Sequence, residues 1–327
     1  MTLFPGVKLH VVTGKGGTGK TTVAAALALG LAEAGRQVLL TEAEGRQGIA
    51  QLFDTPPLPY EERRVAVSDS GGEVYALAID PEAALIEYLE KFYNLRRAGS
   101  ALKRIGAIDF ATTIAPGLRD VLLTGKVMEA ATRARRGGGR IYDAVVLDAP
   151  PTGRIARFLN VNAEVAGLAR MGPIRQQADS VMNLLRSRQT AVHLVTLLEE
   201  MPVQETVDGV AELEAAGLPV GAVLVNMVRE PLLPADSLDA AVAGELDGAE
   251  IAAGLKRAGL APTDGLVAAL AAEAAEHAGR VLLEAREREV LSDLGRPRIE
   301  LPLLAEGADL AGLYELAARL GDEGLAA

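Results

Sequence analysis

Short, almost unbroken apolar runs alternate along this chain with longer stretches of helical periodicity. Leu9-His10-Val11-Val12 reads as a β-strand, and a glycine-rich turn carries it into an Ala/Leu-rich helical stretch over residues 21–34, closed by Gly35. Val38-Leu39-Leu40-Thr41 predicts a second strand and residues 142–147 another. Both lack the apolar/polar alternation of a strand with one wet face, as parallel strands covered on both sides do. Further strands are expected at residues 192–196 and 220–225. Strands alternating with helices predict an α/β fold with a doubly wound, mostly parallel sheet and helices on both faces.

Between the second strand and that at 142–147 lie about a hundred residues, too many for a simple crossover and largely helical in period. A helical insertion is expected over residues 82–140, where Leu85, Leu89 and Phe92, with Tyr88 beside them, share one face and Asp80-Pro81 supplies a start signal. From Lys91 to Arg136 there are ten Lys or Arg against three Asp or Glu, opposite in sign to the whole chain. From Asp236 to Glu289 there are eleven acids against five bases, within an acidic helical segment expected over 236–297. These faces either meet each other, within or between subunits, or are solvated helix surfaces. No repeat of solenoid period is visible.

Composition narrows the chemistry. The 327 residues are 49% hydrophobic and 24% charged, a globular balance that allows a sizeable core. Cysteine is absent, which excludes disulfides, thiolate zinc sites, cysteine-ligated clusters, cysteine nucleophiles and thiol-based arsenite binding. A net charge of −11 argues against a general nucleic-acid binder, because neutralising phosphates needs a basic surface. The longest apolar stretch, residues 23–32, is shorter than the roughly 20 residues of a bilayer span. No signal-peptide pattern precedes the first motif, so the cytoplasm is the expected compartment. His10, His193 and His277 show no metal-ligand spacing and read as structural.

Gly14-Lys15-Gly16-Gly17-Thr18-Gly19-Lys20-Thr21 satisfies G-x-x-x-x-G-K-[ST] between an expected strand and an expected helix, the context that confirms a phosphate loop. Its glycines let backbone N–H groups face phosphate oxygens, and the helix N-terminus adds favourable partial charge. Lys20 is expected to reach the β- and γ-phosphates of ATP, and Thr21 to offer a hydroxyl to Mg²⁺. Lys15 is an additional lysine within the loop; it either points at water or serves the chemistry. Asp148-Ala149-Pro150-Pro151-Thr152-Gly153-Arg154 follows the strand at 142–147, so Asp148 ends a buried strand where a carboxylate can hold Mg²⁺ through a water. Gly153 permits the close approach that a γ-phosphate-sensing switch requires.

These residues resemble the ArsA family, which includes arsenite-pump ATPases and the ATPases that target tail-anchored membrane proteins. The loop from Gly14 to Thr22 is similar to the family's K-G-G-x-G-K-T-T, and Asp148 to Gly153 to its D-T-A-P-T-G switch II. Ala78-Ile79-Asp80-Pro81-Glu82-Ala83, with Glu87-Tyr88, resembles the segment before the family's helical insertion, and Pro116-Gly117 its P-G turn. Residues 190–206, with Pro202-Val203-Gln204-Glu205-Thr206, resemble its next strand-to-helix segment. The resemblance covers residues 7–230 and 298–320. It implies one P-loop NTPase domain over 1–327, ATP or ADP with Mg²⁺ as ligands, and a dimer in which Lys15 crosses to the partner's nucleotide. It further implies that Asn226, Pro302 and Leu303 hold adenine, and that a protein client or membrane partner reads the nucleotide state.

Two departures carry weight. Where the family's switch I reads T-D-P-A-H and its Asp orients the attacking water, this chain reads Ala43-Glu44-Gly45-Arg46-Gln47. The extra methylene of Glu44 shifts its reach by about a bond length, and a misplacement of that order can cost ~10²-fold in rate. The absence of cysteine also removes the family's dimer-clamping zinc motif. Two readings follow: a dimeric Mg-ATPase, homo- or heterodimeric, catalysing with Lys15, Lys20 and Glu44, or a weakly hydrolysing regulatory subunit paired with a paralogue.

Overall fold

The strand β1, Leu9–Gly14, is buried along its whole length. The computed structural model describes residues 2–93, 116–135, 137–168, 173–305 and 307–326. In it β1 lies within an eight-stranded sheet with β2 (Gln37–Glu42), β3 (Arg63–Val67), β4 (Glu73–Ala78), β5 (Ala144–Asp148), β6 (Thr190–Thr196), β7 (Val220–Val228) and β8 (Arg298–Pro302). Their order is β3-β4-β2-β5-β1-β6-β7-β8. Every pairing is parallel except that of β3 on β4. The expected doubly wound α/β architecture of the P-loop NTPase type is therefore the observed one.

Alternate residues of each central strand serve opposite cores. Leu9, Val11 and Leu39 face one apolar cluster, while Val12, Val38 and Leu40 face the other. On the second side lies α1 (Lys20–Glu33), whose residues 23–32 are all buried because the sheet covers one flank and α11 (Leu310–Asp322) the other. Five Ala and one Gly among those ten residues let the neighbouring layers approach closely, while Val23, Leu27, Leu29 and Leu31 fill the space between them. The short α2 (Gly48–Leu52) completes this face. The opposite face carries α4 (Pro116–Thr132), α5 (Thr152–Leu168), α6 (Pro173–Leu185) and α7 (Glu200–Ala215).

Helix α3 (Pro81–Tyr93) starts where Asp80 Oδ1 accepts the Ala83 N–H at 2.7 Å, as the Asp-Pro signal predicts. It packs on α4, and Lys126 donates to Glu87 at 2.9 Å. The side chains of Tyr88, Leu89 and Phe92, expected to share a face with Leu85, lie outside the described residues. Between β7 and β8 come α8 (Leu238–Ala243), α9 (Gly248–Arg257) and the 29-residue α10 (Asp264–Ser292). Few α10 side chains are buried; Leu291 joins Val203 and Val225 in a third, smaller cluster. Among the described residues no helix is long and apolar enough to cross a membrane.

Strands β3, β4 and β8 are absent from the sequence reading. β3 is an exposed edge strand opening with two arginines, so it has no apolar run to announce it. β8 alternates instead: Ile299 and Leu301 are buried between Arg298 and Glu300, a period of two ended by Pro302.

His10 on β1 and His193 on β6 are both sealed inside. The Ala222 N–H donates to His193 Nδ1 at 3.1 Å, which leaves the His193 proton on Nε2, facing His10 Nδ1 at 3.1 Å. His10 then carries its proton on Nε2, an atom with no acceptor among the described residues. Burial holds His193 down to about 3, and burial with the neighbouring His193 holds His10 well below its ordinary value. Both groups therefore gain protons on unfolding below about pH 6.5, so each removes up to ~1.4 kcal/mol of stability per pH unit as pH falls. Asp148, raised to about 6, works in the opposite direction between its folded and unfolded values. Urea denaturation at pH 7.5 and pH 5 should show a loss of stability that shrinks in a His10→Gln/His193→Gln protein. An identical pH dependence in both proteins would contradict the assignment.

Candidate nucleotide site

The loop joining β1 to α1 crosses the edge of the sheet where the parallel strands end, the place at which such folds build their sites. Gly14 lies against β6 so closely that a Cβ there would collide with the Val195 carbonyl. Gly19 caps α1 in a left-handed conformation, φ 84°, with the Asn226 amide where a side chain would begin. No side chain caps this helix, so its first N–H groups keep their capacity for an external acceptor. Gly16 and Gly17 are exposed, and a Cβ on either would meet open space.

The loop is tied down from inside. Thr18 Oγ1 donates to the Lys15 carbonyl at 2.9 Å, and Asn226 Nδ2 donates to the Thr18 carbonyl at 2.9 Å. Lys20 Nζ donates to the same Lys15 carbonyl at 3.3 Å. Its ammonium is pulled below the usual lysine range by burial, against the attraction of Asp148 and Glu44. Thr22, beside Thr21 in the first turn, is half-buried. Asn226 is thus tied to the loop, while Leu303 and Pro302 follow at the end of β8, where the Leu303 N–H donates to Val228 O at 2.8 Å.

Asp148 ends β5 next to Val12 of β1 and Glu42 of β2. Thr21 Oγ1 donates to Asp148 Oδ2 at 2.7 Å. Burial pushes the Asp148 carboxyl up to about 6; the Thr21 hydrogen bond and Lys20 pull it down, and Glu42 and Glu44 push it further up. Asp148 Oδ1 and Glu42 Oε2 are both sealed from solvent without a partner among the described residues. Two orphaned carboxylate oxygens and a threonine hydroxyl form an oxygen donor set that fits a hard divalent cation such as Mg²⁺. Reading the sequence misses Glu42. The available signal is a charged residue closing an otherwise apolar parallel strand.

Switch I and switch II meet here. Glu44 lies 3.3 Å from Arg46 and 3.9 Å from Arg154. Lys15 is not free: its Nζ pairs with Glu205 at 3.2 Å, and the Thr152 hydroxyl donates to the other oxygen of Glu205 at 3.3 Å. Glu205, on α7, is a second residue with no role in the sequence reading. A cationic loop with open glycines, an uncapped helix and a cation-ready pair of carboxylates can bind a metal-complexed polyphosphate.

Comparison with known proteins agrees. The anion-transporting ATPase family matches residues 7–187. The chain belongs to this family, and it is an ATPase. It is 55% identical to ATPase BagA of Mycobacterium tuberculosis (strain ATCC 25618 / H37Rv) over 320 residues, 98% of this chain and 94% of that protein. It is 28% identical over 262 residues to an arsenical pump-driving ATPase of Escherichia coli, 70% of this chain and 41% of that one. To ATPase GET3 of Kluyveromyces lactis it is 28% identical over 197 residues, 58% of this chain and 55% of that one.

Gly19→Ala tests the loop geometry. The forced left-handed residue costs about 1–2 kcal/mol, and the new methyl displaces Asn226 from Thr18. A lowered melting temperature should accompany weaker nucleotide binding, whereas an unchanged temperature would contradict the close approach.

Proposed function

We propose that this ATPase binds Mg-ATP on the loop from Gly14 to Thr22 and hydrolyses it as a dimer whose nucleotide state is read by a client protein or a membrane partner. The observation that carries the reading is the Thr21–Asp148 hydrogen bond of 2.7 Å below a loop with two open glycines. Thr21 and Asp148, with Glu42 beside them, would hold Mg²⁺, which would neutralise charge on the β- and γ-phosphates. Lys20 leaves the Lys15 carbonyl for the phosphates. Asn226 Oδ1 and the backbone around Pro302 and Leu303 hold adenine. Glu44 orients a water, whose oxygen bonds to the γ-phosphorus while the bond to the β–γ bridging oxygen breaks. ADP and inorganic phosphate leave, and a water proton passes by way of Glu44 to solvent.

Lys15 supplies charge across the dimer, after releasing Glu205. The protein acts in the cytoplasm as one ATPase domain over 1–327, with the insertion 82–140 and the acidic segment 236–297 as its partner-facing parts. Thiol-based arsenite handling is not open to a chain without cysteine. A second reading, a regulatory subunit paired with a paralogue, is favoured by one observation: Glu44 is held between Arg46 and Arg154.

Calorimetry with Lys20→Ala should show ATP binding weakened at least ~100-fold, because the phosphates lose their main cation; unchanged affinity in the folded variant would overturn the assignment. Turnover per subunit should rise with protein concentration until dimerisation is complete, and Lys15→Ala should lower kcat by up to ~10³ while sparing ATP binding. Turnover that is indifferent to dimerisation contradicts the trans role of Lys15. Glu44→Gln slows hydrolysis in the first reading; no effect on an already low rate favours the regulatory subunit.

A further inference from the structure

A polar cavity of about 110 Å³ opens between switch I, switch II and the first turns of α4. Glu44 and Arg46 line it from one side, Arg154 from another, and Arg119 and Asp120 from α4, over the apolar side chain of Leu123. Three guanidiniums thus surround two carboxylates in a half-enclosed space. Arg46 and Arg154 stand 3.3 and 3.9 Å from Glu44. Arg119 Nε is shut off from solvent and has no acceptor among the described residues. Burial pushes the Asp120 carboxyl up, against the pull of Arg154, Arg119 and Arg157, so a fourth guanidinium acts on the same spot.

A buried donor without an acceptor has lost its water and gained nothing in return, so a site of this kind gains by admitting an anion. At about 30 Å³ per water the cavity has room for three or four waters, the space of one small tetrahedral oxyanion. Guanidiniums fit such oxyanions with paired N–H donors. Glu44, which shares this cavity, is also the residue that orients the attacking water in the function proposed above.

We propose that this cavity is an oxyanion site that takes inorganic phosphate, with Arg119, Arg154 and Arg46 as its ligands, and that it receives the phosphate cleaved from ATP. Phosphate then replaces Glu44 as the partner of Arg154 and Arg46, and Arg119 gains its missing acceptor. The source of the phosphate rests on the proposed hydrolysis; the site itself does not.

Inorganic phosphate titrated into the full chain saturated with Mg-ADP, followed by calorimetry, should bind once per chain. Arg119→Gln should weaken it at least 10-fold and Arg119→Lys less, with ADP affinity unchanged in both. No saturable phosphate binding, or binding indifferent to Arg119→Gln, would overturn the site. The same titration in Lys20→Ala separates the two claims. Arg119-dependent phosphate binding that persists there supports the cavity whether or not ADP binds, and its loss places the phosphate in the loop and overturns the cavity. A fluorescent phosphate sensor in single turnover identifies the source. Phosphate should appear after cleavage with a lag that Arg119→Gln shortens, whereas no lag in the wild-type chain overturns delivery from ATP and leaves bulk phosphate as the ligand.

Discussion

The hydrogen bond from Thr21 to Asp148 ties the first turn of α1 to the end of β5, and the rest of the site is arranged around it. It joins two elements 127 residues apart in the chain, and it requires Asp148 to be buried. Burial has a cost, visible in a carboxyl pushed up to about 6. Lys20 and the Thr21 hydroxyl offset part of that cost; the orphaned second oxygen of Asp148 and that of Glu42 do not share in it. A buried oxygen pair without donors is an unstable arrangement for water-free protein and a favourable one for a bound cation. The unmet demand of the fold is thus the same as the affinity of the site.

The parallel sheet makes this placement unavoidable. β1, β2 and β5 are neighbours in one register, in which Glu42, Asp148 and Val12 fall at equivalent heights. Their C-terminal ends deliver the loop, switch I and switch II to one edge. The Thr13 hydroxyl donates to the Pro150 carbonyl at 2.7 Å, and the Ala43 N–H to the Asp148 carbonyl at 3.2 Å, fastening the two switches to the strands behind them. Glu44, Arg46 and Arg154 then form a charged layer between this edge and α4.

Much of this was legible in the residues. The run from Leu9 to Val12, the eight-residue loop motif and the Ala-rich stretch after it are three independent signals for one strand–loop–helix unit. Asp148 was legible because the acid that closes this strand is followed by the Pro150-Pro151-Thr152-Gly153 turn, a signal that Glu42 lacks. The remaining features depend on contacts distant in sequence. β3 has edge exposure and two arginines in place of an apolar run. Glu205 becomes part of the site only when α7 brings it to Lys15, and Asn226 becomes a loop ligand only when β7 comes within reach of Thr18. The motif marks Lys15 as unusual, yet only packing shows that it is held in its own chain by the carboxylate of Glu205.

The most direct test of the account is calorimetric binding of ATP with and without Mg²⁺, to the wild-type chain and to Asp148→Asn. The substitution preserves an acceptor for Thr21 while removing the carboxylate charge. The account predicts that Mg²⁺ tightens ATP binding at least ~10-fold in the wild-type chain, and that this gain disappears in Asp148→Asn while metal-free ATP binds as well or better. An undiminished Mg²⁺ gain in the variant would contradict it.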